Sequence, residues 1–161
     1  MKTIFTKDLA NKKMFITREF SAPLEQVWQA WTDPKILEQW FAPKPWKAKT
    51  KTMNFKDGGT WLYCMEGPAG EKHWGIAAFK NIISFKSYES LDSFCDENGK
   101  INQEFPTTQW KNSFSETANG TLVEIEMTFS NLEALQKMLE MGFETGFTMA
   151  HGNLDEIFNT K

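Results

Sequence analysis

The spacing of apolar positions along this chain switches between the period of a strand and that of a helix. Lys12 to Phe20 (KKMFITREF) mixes β-branched and aromatic residues and predicts a strand. After Ser21-Ala22-Pro23 the spacing becomes helical. Leu24, Val27, Trp28 and Trp31 form one apolar stripe, and Pro23 and Glu25 suit a first turn. Asp33-Pro34 then opens a second short helix, with Asp33 as N-cap and Ile36, Leu37, Trp40 and Phe41 as its apolar positions. Ala42-Pro43-Lys44-Pro45 ends it.

From Trp46 to Ser130 the pattern is that of strands divided by turns. Lys47, Lys49 and Lys51 alternate with Ala48, Thr50 and Thr52, giving a solvated face and a quieter one. Asp57-Gly58-Gly59 is a turn, Thr60 to Glu66 a strand, and Gly67-Pro68-Ala69-Gly70 a turn. Lys72 to Phe85 and Lys86 to Cys95 read as two further strands, closed by Asp96-Glu97-Asn98-Gly99. Pro106 to Thr117 and Thr121 to Phe129 are joined by Asn119-Gly120, a strong hairpin signal. Ser130-Asn131-Leu132-Glu133 reads as a capping box for a helix carrying Leu132, Leu135, Met138 and Leu139. Gly142 suits the position just past that helix. A last helix runs from about Phe143 to Phe158, with Phe143, Phe147, Ala150, Leu154 and Ile157 on one stripe.

These elements predict an α+β fold, with hairpins implying an antiparallel sheet and helices covering one of its faces. Residues 12–159 read as one domain, and residues 1–11 as an N-terminal extension. The length of 161 residues suits a single core that needs no disulfide or metal. A net charge of −3 excludes a strongly basic nucleic-acid footprint, and no apolar run is long enough for a membrane span. The opening MKTIFTKDLANKK lacks the apolar stretch and cleavage site of a signal peptide, so a cytoplasmic location is expected. Cys64 and Cys95 read as reduced packing residues, and His73 and His151 lie too far apart to suggest a metal centre. No metal, cofactor or catalytic group is expected, and no pattern specifies an oligomer.

Three stretches carry a resemblance. The first runs from Ala22-Pro23-Leu24-Glu25-Gln26-Val27-Trp28 through Trp31-Thr32-Asp33-Pro34 to Gln39-Trp40-Phe41. The second is Gly58-Gly59-Thr60-Trp61-Leu62-Tyr63-Cys64-Met65 with Trp74-Gly75, and the third Met141-Gly142-Phe143-Glu144-Thr145-Gly146-Phe147 leading to Asn153-Leu154. Together they resemble the AHSA-like family, homologues of the activator of the heat-shock-protein ATPase, within the START/SRPBCC (birch-pollen-allergen-like) superfamily. The resemblance implies a helix-grip fold, in which a curved antiparallel sheet of about six or seven strands wraps the long C-terminal helix. It further implies a cavity between helix and sheet that takes an apolar or amphipathic small molecule, lipid-like or aromatic, without catalysis. The alternatives it carries are a protein-interaction module or co-chaperone acting on a heat-shock chaperone, and an enzyme of the cyclase or hydrolase kind. The family's co-chaperone namesake has an additional domain for which this chain is too short.

Seven tryptophans and fourteen phenylalanines are the one compositional oddity, and each is either plain core or pocket wall. Trp61, Tyr63 and Met65 share a strand face, Trp74 and Ile76 another, and Trp110 and Phe114 a third. Phe147, His151 and Leu154 point to one side of the last helix. These ten are the expected cavity residues, with Trp40 and Phe41 as a gate at the mouth. His151 is either a satisfied histidine at the edge of the stripe or a polar anchor for a ligand oxygen. The three alternating lysines read as a solvated edge.

Overall fold

The computed structural model describes residues 2–159. Two strands, β1 (Ile4–Asp8) and β2 (Lys13–Phe20), are followed by the helices α1 (Leu24–Thr32) and α2 (Pro34–Trp40). Six strands come next: β3 (Lys47–Met53), β4 (Thr60–Glu66), β5 (Lys72–Ile83), β6 (Ser87–Cys95), β7 (Thr108–Thr117) and β8 (Gly120–Phe129). Helices α3 (Leu132–Glu140) and α4 (Phe143–Asn159) complete the chain. The strands form one antiparallel sheet in the order β1-β2-β8-β7-β6-β5-β4-β3.

The sheet has eight strands where six or seven were expected. The additional strand lies in the first eleven residues, where Ile4–Asp8 pairs with Lys13–Thr17. Its sequence, IFTKD, is too short and too exposed to show an alternating apolar face. The local signals elsewhere operate as the residues require. Asp33 accepts a hydrogen bond from Lys35 N with Pro34 in the first turn of α2, and Asn131, one residue later than Ser130, caps α3 through Ala134 N.

One face of the sheet carries the core. Met14, Ile16 and Phe20 of β2 meet Val123, Ile125, Met127 and Phe129 of β8, and all seven are buried. α1 and α2 close one end with Trp28, Trp31 and Trp40. Phe20, Trp31, Trp40 and Phe114 pack there edge-on or tilted, with ring centroids 4.7–5.7 Å apart. Trp40 also donates from Nε1 to the Ala30 carbonyl at 2.9 Å, which satisfies its polar atom in the core. α4 lies across the same face, and Ala150, His151 and Leu154 are its most deeply buried residues.

Candidate functional site: a two-chambered cavity under helix α4

The first half of α4 rests edge-on against Phe5 of β1 and Trp110 of β7, through Phe143 and Phe147 at 5.9–6.3 Å between ring centroids, and leaves space beside these contacts. Between Phe143, Gly146 and Phe147 on one side and strands β4 to β7 on the other lies a cavity of about 360 Å³. Tyr63, Met65, His73 and Gly75 form its floor with Phe94, Thr108 and Trp110; Phe41 and Pro43 close one side, and Ala134, Lys137, Met138 and Met141 of the α3 region close another. Phe94, Phe105 and Met141 are exposed and mark its mouth. Behind it, towards the core, a smaller chamber of about 40 Å³ is bounded by Trp31, Trp61, Tyr88, Trp110, Ser90, Asp92, Asn112 and neighbouring apolar residues. Phe41, Asp92, Trp110 and Phe147 border both chambers, so they stand at the junction.

Register explains which residues face inward. Tyr63 is paired with Gly75, Met65 with His73, and Trp61 with Ala77. Gly75 is required there, because a Cβ would come within 2.7 Å of Tyr63 Oη. The tyrosine ring stacks on Trp61 at 4.0 Å between centroids and lies edge-on to Phe41 at 5.6 Å. On β6 the inward residues are Tyr88, Ser90, Asp92 and Phe94, alternating as a strand demands.

The residues expected from sequence divide into two groups. Trp61, Tyr63, Met65, Trp110 and Phe147 border the chambers, and so does Phe41. Ile76 does not: it pairs with Leu62 on the opposite face of the sheet, beside Gly99. Trp74 borders the outer chamber by its position on β5, but it pairs with Cys64 and its ring lies under Lys51 Nζ at 5.9 Å, away from the interior. Large side chains drew attention to the wrong face of β5; the inner face is the one bearing Gly75 and Ala77. Phe114 is core, against Trp28 and Trp31 at 5.1 and 5.5 Å. Trp40 is fully buried and cannot act as a gate.

His151 and Leu154 are fully buried beyond the cavity's inner end. The His151 ring lies 4.3 Å from Phe147 and 5.5 Å from Phe20, and its Nδ1 is 2.9 Å from Thr3 Oγ1. Arg18 donates to the same hydroxyl at 2.8 Å, so Thr3 links the imidazole to the guanidinium. Nε2 has no partner, and Arg18 also pairs with Asp155. Burial, assisted by the Arg18 charge, lowers His151 to about 3. The histidine is therefore a neutral structural residue, anchored by a threonine in the stretch that sequence reading set aside.

The carboxylate that faces both chambers is Asp92. Burial pushes its carboxyl up to about 7, opposed by one hydrogen bond from Ser90 Oγ at 2.9 Å. Tyr63 and Tyr88 are held in their neutral form by burial, with the Asp92 charge acting in the same direction. Trp110 Nε1 is buried without an acceptor. No cluster of three metal-ligating side chains occurs among the described residues.

A family model, "Activator of Hsp90 ATPase homolog 1-like protein", matches residues 21–159, and the chain belongs to that family. Among solved structures it is similar to protein Ms6760 of Mycobacterium smegmatis, at 32% identity and a TM-score of 0.89, covering 98% of this chain and 96% of that one. A protein of Arthrobacter aurescens is 34% identical with a TM-score of 0.90, covering 98% and 92%. One from Staphylococcus epidermidis is 28% identical with a TM-score of 0.86, covering 97% and 93%. No curated protein matches the chain. The fold is the helix-grip arrangement, and no helix among the described residues is long and apolar enough to cross a membrane.

Proposed function

We propose that the protein binds an apolar or amphipathic small molecule, lipid-like or aromatic, in the cavity beneath the first half of α4, and does so without catalysis. The observation that carries this reading is the cavity itself. Its volume of about 360 Å³ falls within the roughly 300–1,000 Å³ of small-molecule sites, and its wall is mostly aromatic and aliphatic with few polar groups. Tyr63, Met65, Phe41, Trp110 and Phe147 are its principal contacts, with Trp61 in the inner chamber behind them. A solidly packed interior would have removed the basis for the proposal. Native mass spectrometry of protein purified from its own source tests it: an additional bound mass is expected in the native chain and not in Gly146→Leu, which places a side chain in the cavity wall. Absence of any retained or added ligand from a panel of aromatic and long-chain compounds would overturn it.

A second reading rests on the mouth. Phe94, Phe105 and Met141 are exposed there, and the family is named for activation of a chaperone ATPase. On that reading the rim docks a chaperone, and adding the protein changes the chaperone's ATPase rate.

A further inference from the structure

Asp92 is a carboxylate on the inner wall without a countercharge. None of the ion pairs among the described residues includes it, and its one side-chain hydrogen bond comes from Ser90. An ionised carboxylate has about four acceptor sites, so most of its hydrogen-bonding capacity is unused. Asp92 is half-buried, and leaving its charge unpaired on an apolar wall is unfavourable; a cation beside it removes the penalty. No cationic side chain borders the inner chamber. The ionisable side chains facing Asp92 are the phenols Tyr63 on β4 and Tyr88 on β6; β5, β7, α4 and the residue that follows α2 present Ala77, Asn112, Phe147 and Phe41. His73 and Lys137 stand along the outer chamber, and the Lys137 ammonium lies 5.5 Å from the Phe105 ring at the mouth.

The chamber into which Asp92 faces is also walled by aromatic rings: Trp31, Trp61, Tyr88 and Trp110. Aromatic faces attract cations, most strongly when water is excluded. A volume of about 40 Å³ has room for about three water-sized groups, which suits a primary ammonium better than the bulkier trimethylammonium.

We propose that the inner chamber is a primary-ammonium site: Asp92 accepts the protonated amine of a ligand whose apolar body occupies the outer chamber. This rests on the small-molecule reading above and gives that ligand a charge. An anionic head is disfavoured in the inner chamber, where it would meet Asp92 and no cationic side chain lines the wall. The raised carboxyl supports the assignment, since a bound ammonium would draw it back to the ionised form.

The test uses four probes with one ring system: 2-naphthylmethylamine, its trimethylammonium counterpart, 2-naphthylmethanol and 2-naphthoic acid, titrated calorimetrically into the full chain. At pH 8 the primary amine is expected to bind about ten-fold or more tightly than the alcohol and the trimethylammonium, with the acid weakest. In Asp92→Asn the amine should fall to within about two-fold of the alcohol, while the alcohol is unchanged. A second arm needs no variant: lowering the pH to 5.5 should weaken the amine and leave the alcohol unaffected. An amine advantage that survives in Asp92→Asn, or an acid that binds as tightly as the amine, overturns the ammonium site. Equal binding of all four overturns the ammonium site alone. Failure of all four to bind overturns it together with the small-molecule reading.

Discussion

Two turns of α4 separate Phe147 from Leu154, and they lie in different kinds of interior. Around Leu154 and His151 the space is filled: Phe20, Trp31 and Trp40 crowd the imidazole, and Arg18 and Thr3 supply its polar contacts. Around Phe143, Gly146 and Phe147 the helix faces open volume over β4 to β7. The difference comes from what the sheet offers opposite each half. β2 presents Phe20 to the packed half, edge-on to His151 and Phe158, whereas β5 presents Gly75 and Ala77 towards the chambers. One amphipathic stripe therefore serves both as core and as roof. The two interiors also treat charge in opposite senses, with a histidine kept neutral at the closed end and a carboxyl raised towards neutrality at the open one.

The contrast can be broken most severely at the packed end. Leu154→Ala should cost about 2–5 kcal/mol in denaturant unfolding, because neighbours locked on every side cannot collapse into the gap. Met65→Ala, at the chamber wall, should cost less than about 1 kcal/mol and instead reduce ligand affinity. Equal losses at the two sites would remove the distinction between the halves. Thr3→Val comes next. It leaves His151 Nδ1 and an Arg18 donor without their shared partner, and a loss of about 1–3 kcal/mol is expected.

The two titratable groups sharpen the comparison through their signs. The raised Asp92 carboxyl contributes stability that is fully present below its unfolded value, near 4, and lost as pH rises through about 7. The lowered His151 acts oppositely, costing stability as pH falls from its unfolded value near 6.5 towards 3. Between these values the two slopes oppose each other in the native chain. Asp92→Asn removes one of them, so its melting temperature relative to the native chain should rise from pH 5 to pH 8, by about 2–5 °C. A difference that is flat with pH would contradict the raised carboxyl. The smallest effect is expected from Gly146→Ala. The new Cβ meets only Pro43 Cγ, at 3.8 Å, so helix propensity should stabilise the variant by about 0.5–1 kcal/mol.

Much of this was legible in the sequence. Proline, Asp33 and the periodic tryptophans located α1 and α2, and the turns at Gly67-Pro68-Ala69-Gly70 and Asn119-Gly120 set the hairpins. Three features escaped for physical reasons. β1 is five residues whose partners are known only from pairing. The inner face of β5 is marked by small residues, and no local pattern shows that Trp74 and Ile76 face outward. Asp92 sits in LDSFCDENG, where an acidic residue before a turn suggests a solvated loop. The signal that could have found it is the alternation Tyr88, Ser90, Asp92, Phe94, which puts a carboxylate on the same face as two rings.

A titration of uniformly 15N-labelled protein with 2-naphthylmethanol, followed by amide NMR, probes the two halves of α4 in one experiment. Shifts concentrated on Phe143 to Phe147 and on the strands beneath them, with His151 and Leu154 unmoved, are the expected result. A response centred on His151 and Leu154, or none at all, would contradict a helix that is packed along one half and open along the other.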